Sequence, residues 1–280
     1  MQDHGRFFSE AEARAREEQV LPADSYEFYQ SLFNYQTARC AEYAALVPGM
    51  ELTLPGEPPF LVPGSIALTA PARLALASGL GELLDLVGGF NTGMNFDVLR
   101  DADAGELAGT VIDDLLARDL DGLTQRASAL RIGFEELVFV VTNWIKPFMA
   151  SLAEPLRERF NNDEWLRAEC PVCGYYPDIA RIAGADDGRR FLHCALCETE
   201  WVYTRLHCAV CGNSDTESMG YFTIEGDARH RIDYCDACKG YLKTVIINKF
   251  QEPESVDLSV ENVLTAGLDA AAMEKGYSRP

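Results

Sequence analysis

CPVCGYYPDIARIAGADDGRRFLHCALCETEWVYTRLHCAVCG, residues 170 to 212, contains three of the chain's four C-x-x-C pairs; the fourth follows as CDAC at Cys235 and Cys238. A C-x-x-C turn sets two thiols on one side of a tight loop, close enough to bind one metal ion, and two such turns complete a tetrahedral shell. Taken in order, Cys170, Cys173, Cys194 and Cys197 read C-x2-C-x20-C-x2-C, and Cys208, Cys211, Cys235 and Cys238 read C-x2-C-x23-C-x2-C. The first fits zinc-type spacing closely and the second loosely. Spacing alone also admits a RING-like interleaving, in which the first and third pairs share a metal. A disulfide framework is the rival chemistry, disfavoured in a chain much larger than a small secreted scaffold.

Around these turns the sequence breaks into short β-branched and aromatic runs separated by Gly and Asp, as two ribbons holding opposed knuckles require. Each metal block is about 40 residues, near the size at which a hydrophobic core no longer offsets chain entropy without a staple. Gly174 and Gly212 directly follow the second cysteine of their pairs, where positive φ turns backbone N–H groups toward sulfur. Glu198 and Lys239 hold the equivalent places after Cys197 and Cys238 and look less suited to them. Four thiolates per ion leave no open position for water, which argues against hydrolytic zinc. His193 and His207 read as strand residues beside Cys194 and Cys208, His4 and His230 show no partner pattern, and Cys40 reads as a small buried hydrophobe. Neither a Ser-His-Asp order, nor H-E-x-x-H, nor a P-loop, nor a convincing dinucleotide fingerprint is present, and the chain is read as a non-enzyme.

Upstream of Cys170 the texture is helical. Ser9 with Glu12 reads as a capping box for a helix to about Gln19, and Ser25 opens an amphipathic stretch ended by Pro48-Gly49. Residues 49–64, with four Pro and three Gly, read as an extended surface loop, long enough to suggest docking. Thr69 caps a helix from Pro71 to Val87, Asp101 or Asp103 starts another to Arg118, and a last one is expected from Leu130 to Phe160, kinked or divided at Pro147. Glu254 to Met273 is expected to return and pack as a helix. The apolar run Leu137 to Ile145 is far shorter than a membrane span and reads as core.

The whole chain of 280 residues carries 24 Lys and Arg against 44 Asp and Glu, net −20, which disfavours nucleic-acid and anionic-membrane partners. The metal-bearing half has no basic footprint either, with 10 basic and 12 acidic residues from Arg167 to Lys249. The opening residues MQDHGRFFSEAEARAREEQ show no apolar signal core, so a cytoplasmic location is expected.

CPVCG at 170–174, FLHCALCETEW from Phe191 to Trp201, VYTRLHCAVCG to Gly212 and YCDACKGYLKT from Tyr234 to Thr244 together resemble the formate dehydrogenase accessory proteins, the maturation factors of bacterial respiratory formate dehydrogenases. Tyr175-Tyr176-Pro177 departs from that family's usual continuation after the first knuckle, and no family motif is evident before residue 165. The resemblance implies a multi-domain α+β protein: an all-α domain over 1–165, rubredoxin-like four-cysteine modules over 166–206 and 207–252, and a helical tail over 253–280. It further implies sequential pairing of the knuckles and two metal ions, iron ahead of zinc. It implies a non-catalytic, cytoplasmic chaperone that binds the catalytic subunit of a molybdenum or tungsten formate dehydrogenase. Thr199, Glu200 and Trp201 are the candidate partner contacts, an acid and an indole just past a knuckle. The competing functions are a double-rubredoxin electron carrier and, behind it, a zinc-ribbon adaptor.

Overall fold

The computed structural model describes residues 2–90, 96–183, 188–247 and 256–279. Among the described residues there are nine α-helices and eight strands. The helices of the first half are α1 (His4–Glu17), α2 (Ser25–Ala44), α3 (Ala70–Gly89), α4 (Asp97–Arg100), α5 (Ala104–Ala117), α6 (Leu120–Leu130) and α7 (Phe134–Ala153). The strands are β1 (Glu51–Leu52), β2 (Ile66–Ala67), β3 (Pro177–Ala183), β4 (Arg189–Cys194), β5 (Glu200–Tyr203), β6 (Met219–Phe222), β7 (His230–Cys235) and β8 (Tyr241–Ile247). Helices α8 (Leu258–Leu264) and α9 (Ala266–Glu274) follow near the end of the chain.

Local chemistry sets most boundaries. Asp3 caps α1 by accepting the Arg6 N–H at 3.0 Å, so Ser9 lies inside the helix and the expected S-x-x-E box does not form. Thr69 and Asp103 cap α3 and α5 as expected. The helix expected from Leu130 to Phe160 begins later, because Arg131 takes a left-handed conformation (φ +56°) that closes α6 and Gly133 then opens α7. Pro147 does not divide α7, which runs unbroken to Ala153 and gives way there to a 3-10 turn.

Helix α7 is the axis of the helical layer. Its Leu137, Val140, Val141, Trp144, Ile145, Phe148, Met149 and Leu152 are buried against α2, α3 and α5, and the Trp144 indole N–H donates to the Leu76 carbonyl at 2.8 Å. The same apolar cluster continues without a break into Cys170, Val172, Cys173, Leu192, Leu196, Trp201 and Leu242. The helices and the metal-bearing half therefore share one core.

Strands β3 to β8 form a single six-stranded sheet in the order β5-β4-β3-β8-β7-β6. Each Cys-rich block supplies an antiparallel three-stranded half. The halves join through the parallel pair β3 and β8, in register from Ile179 opposite Lys243 to Ala183 opposite Ile247. The tail returns as expected, but as two helices: α8 packs against α1 and α2 through Val260 and Leu264, and α9 covers Ile232 and Tyr241 with Leu268 and Ala272. The start of the tail at Glu254, with the boundary drawn at 252/253, lies outside the described residues.

The segment 49–64 is largely a surface loop, as expected, but part of it is docked inward. Phe60 and Leu61 are buried, and their amides both donate to the Val172 carbonyl at 2.9 and 2.7 Å. Val172 sits in the first knuckle, so the Pro-rich stretch docks on it through its backbone.

Candidate metal centres

The four sulfurs of Cys170, Cys173, Cys194 and Cys197 gather within 4.8 Å of one another, and so do those of Cys208, Cys211, Cys235 and Cys238. The first and second pairs meet in one group and the third and fourth in the other, which corrects the interleaved alternative. Strand register accounts for it: β3 leaves the first knuckle and pairs antiparallel with β4, which runs back into the second, Pro177 lying opposite Cys194. In the other half β7 leads into the fourth knuckle, Met219 pairing with Cys235.

Across the first group Cys170 and Cys197 are 3.6 Å apart and Cys173 and Cys194 3.4 Å. Across the second, Cys208 and Cys238 are 3.8 Å apart and Cys211 and Cys235 4.0 Å. A tetrahedral ion with metal–sulfur bonds of ~2.3 Å sets its sulfurs ~3.8 Å apart, so both groups fit such an ion. These separations are far longer than a disulfide bond, and all nine cysteines are free.

The knuckles repeat one backbone scheme. The amides of Cys170, Cys194, Cys208 and Cys235 donate to the carbonyls of Tyr175, Thr199, Asn213 and Gly240, each five residues on. Gly174 (φ +69°), Glu198 (φ +57°), Gly212 (φ +73°) and Lys239 (φ +57°) all adopt the left-handed region after the second cysteine. Glu198 and Lys239 thus meet the same demand as the glycines, at a cost of roughly 1 kcal/mol each for a residue bearing Cβ. Amides aim at sulfur in both groups: Val172 to Cys170 at 3.4 Å and Cys197 to Cys194 at 3.5 Å, Val210 to Cys208 and Gly240 to Cys238 at 3.3 Å.

Their surroundings differ. The first group is enclosed, each cysteine at 0 or 1% exposure. Burial pushes the Cys173 and Cys194 thiols well up. Against the same burial, hydrogen bonds from the other thiols and from Thr199 draw Cys197 down. Ionising all four sulfurs this deep would require a cation among them. In the second group Cys211 is exposed and Cys238 half-buried.

Glu198 carries a charge cluster that no sequence pattern announced. Its carboxylate lies 3.0 Å from His4 Nε2 and 3.4 Å from Lys146 Nζ, and it accepts from the Ser259 hydroxyl at 3.1 Å. His4 Nδ1 is 2.6 Å from Asp257. Burial would lower the His4 pKa, but the Glu198 charge and Asp257 raise it to about 10. Burial would likewise raise Glu198, but the charges of His4 and Lys146 hold it well below the usual carboxylate range. Helices α1, α7 and α8 are thereby tied to one knuckle of the first group.

Thr199 and Trp201 are fully buried and unavailable to a partner in this conformation. Thr199 Oγ1 is 3.2 Å from Cys197 Sγ, and the Trp201 indole donates to the Arg167 carbonyl at 3.1 Å. Glu200 is half-buried and paired with Arg181 at 2.5 Å. His193 turns to Asp178 at 2.8 Å, and His230 sits between Asp227 and Glu261.

No described helix is long and apolar enough to cross a membrane. Residues 169–205 match the family model described as FdhE, central domain. A protein FdhE homolog of Actinobacillus pleuropneumoniae serotype 3 is 31% identical over 201 residues, 70% of this chain and 62% of the relative. Homologs of Aquifex aeolicus and Shewanella baltica are 30% and 38% identical over 150 and 109 residues, 52% and 39% of this chain. The chain spans about half the length of the Aquifex relative and about a third of the Shewanella one. The crystal structure of the FdhE protein from Pseudomonas aeruginosa shares the fold, with a TM-score of 0.60 and 21% identity over 100% of this chain and 94% of that one. The central-domain match falls on the first four-cysteine group, and the chain is similar in sequence to FdhE homologs over as much as 70% of its length and in fold to an FdhE protein.

Proposed function

We propose that this protein is a non-catalytic accessory factor that binds the catalytic subunit of a molybdenum or tungsten formate dehydrogenase in the cytoplasm and is required for that enzyme to become active. The observation that carries the reading is the pair of closed four-sulfur shells, which leave no position for a substrate or an activated water. Cys170, Cys173, Cys194 and Cys197 would hold one ion, and Cys208, Cys211, Cys235 and Cys238 the other. Iron is favoured over zinc on the motif resemblance, and the amide-to-sulfur hydrogen bonds would stabilise the thiolate charge around either ion. The formate dehydrogenase assignment rests on the motif resemblance from Cys170 to Thr244.

The test is formate-dependent dye reduction in extracts of the source organism lacking this gene, with an immunoblot of the catalytic subunit. Lost activity with the subunit still present is expected, and full activity would overturn the reading. Tagged protein should also retain the catalytic subunit, and retain it less when Cys211 and Cys238 are replaced by Ser. A second reading, a double-rubredoxin electron carrier, is favoured by one observation, the exposure of Cys211 at the second group. Reversible iron reduction by an independent reductase would support it, and zinc in both groups would exclude it.

A further inference from the structure

Beside the third knuckle lies a cleft of about 540 Å³, lined by residues of β6, β7 and β8 and by residues 205–210. Its volume falls in the range of small-molecule sites, roughly 300 to 1,000 Å³. Arg190, Arg205 and Arg231 line it, against a single carboxylate, Asp233. Asp233 is already engaged, by Arg231 at 2.9 Å and by the Thr244 hydroxyl at 2.6 Å. In a chain of net charge −20, a cleft with two arginines beyond the Arg231–Asp233 pair, faced by the Cys208 ligand of the second group but by no further carboxylate, is out of character.

Arg190 is the sharpest anomaly. It is 4% exposed, and among the described residues no carboxylate forms an ion pair with it. One terminal nitrogen donates to the carbonyls of Thr204 and His207 at 2.5 and 2.7 Å, while Nε is buried without a partner. A buried cation held by two carbonyls and the face of the Tyr203 ring, 5.1 Å away, lacks a paired counter-charge, and burial pulls its pKa below the ordinary guanidinium value although the charge of Asp233 raises it. An oxyanion in the cleft would supply the missing counter-charge. The rest of the wall mixes aromatic and aliphatic side chains with His207 and Thr216, Leu206 being 66% and Tyr221 63% exposed and the Arg231 guanidinium lying 4.7 Å from the Tyr221 ring centre. Such a wall suits a flat ring beside the charge.

We propose that this cleft binds a small molecule in which a phosphate or carboxylate is attached to a planar ring, the oxyanion meeting Arg190 and Arg205 and the ring lying against Leu206 and Tyr221.

The test is a fluorescence titration of the full-length, metal-loaded protein with 8-anilinonaphthalene-1-sulfonate, an aromatic sulfonate. One saturable site with a Kd on the order of 10 µM is expected. Displacement by phenyl phosphate assigns the phosphate source and displacement by benzoate the carboxylate source; phenol should displace neither. Arg205→Glu and Leu206→Asp, both at the rim, should weaken binding by about tenfold or more while Tm and metal content stay unchanged, and the distant Arg100→Glu should leave binding intact. Arg190→Gln should abolish binding, but it also removes the bonds to Thr204 and His207, so the rim variants decide. Non-saturable binding, equal affinity in the rim variants, or displacement by phenol as readily as by phenyl phosphate would overturn the proposal.

Discussion

The two four-cysteine groups are built on the same knuckle and differ in almost everything around it. The first is sealed between sheet and helices: Phe60 and Leu61 clamp Val172, Arg157 donates to the Cys197 carbonyl, and Glu198 anchors three helices. The second stands at the outer half of the sheet, with Cys211 exposed and the end of the chain across it, where Ser278 pairs with Lys239 and Tyr241. A binding motif therefore specifies the geometry of an ion and not its role. Role follows from what the surroundings couple to that ion, and here the first group is placed as the fastener of the shared core and the second as the accessible one.

The largest effect expected from this difference comes from removing one ligand of each group. Structural zinc in small peptides is worth an apparent ~10 to 16 kcal/mol, more than a typical domain's whole stability of about 5 to 15 kcal/mol. Cys173→Ser should therefore cost the chain its helical circular dichroism together with its metal, because the same core serves both halves. Cys211→Ser should keep the helical signal and one equivalent of metal. Equal losses in the two variants would break the comparison.

Next in size is the charge cluster. His4→Gln leaves Glu198 and Asp257 buried with one counter-charge fewer, and about 3 kcal/mol of destabilisation is expected. Because the folded His4 pKa lies near 10 and the unfolded value near 6.5, the native state binds the extra proton between them. Its contribution is complete below pH 6.5, falls as pH rises, and is gone above about pH 10. Chemical denaturation across that range should show wild type and variant converging. The equivalent residue of the second group, Lys239, pairs with Asp236 at the surface, and Lys239→Gln should leave Tm unchanged at every pH.

Without any substitution, a chelator should distinguish the groups by rate. Metal release followed with a colorimetric chelator should be biphasic, one equivalent leaving at least about tenfold faster, and Cys211→Ser should abolish the fast phase. A single phase in the wild type would mean that exposure at Cys211 does not govern access.

The ligands and the order of elements were legible because they depend on local pattern: four identical spacings, caps at Thr69 and Asp103, and β-branched runs between turns. The coupling was not, because it depends on residues far apart in sequence. His4 meets Asp257 across 253 positions, and the parallel pairing of β3 with β8 fuses two blocks that read as separate ribbons. Trp201 was legible as an aromatic beside a knuckle, but whether it faced a partner or the core depended on Arg167 offering it a carbonyl. Residues 49–64 read correctly as a loop, but their attachment was hidden for a related reason. Proline and glycine exclude helix, yet they do not reveal that Phe60 and Leu61 hydrogen-bond to another segment's backbone.

The smallest expected effect is a null difference, and it tests whether the contrast truly lies outside the knuckle. Gly174 and Gly212 hold nearly the same positive φ. A Cβ at Gly174 would touch Pro59 only at ordinary contact distances, 3.5 and 3.7 Å, and one at Gly212 would meet nothing within 4 Å. Each Gly→Ala change thus incurs only the left-handed backbone cost, about 1 to 2 kcal/mol, with no steric addition. The expected result is an equal, modest loss of metal affinity at the altered group, read by competition with a chelator of known affinity. A much larger loss at Gly174 would mean that the clamp of residues 59–61 presses on the knuckle itself, so that the enclosure of the first group shapes its ligand geometry as well as its access.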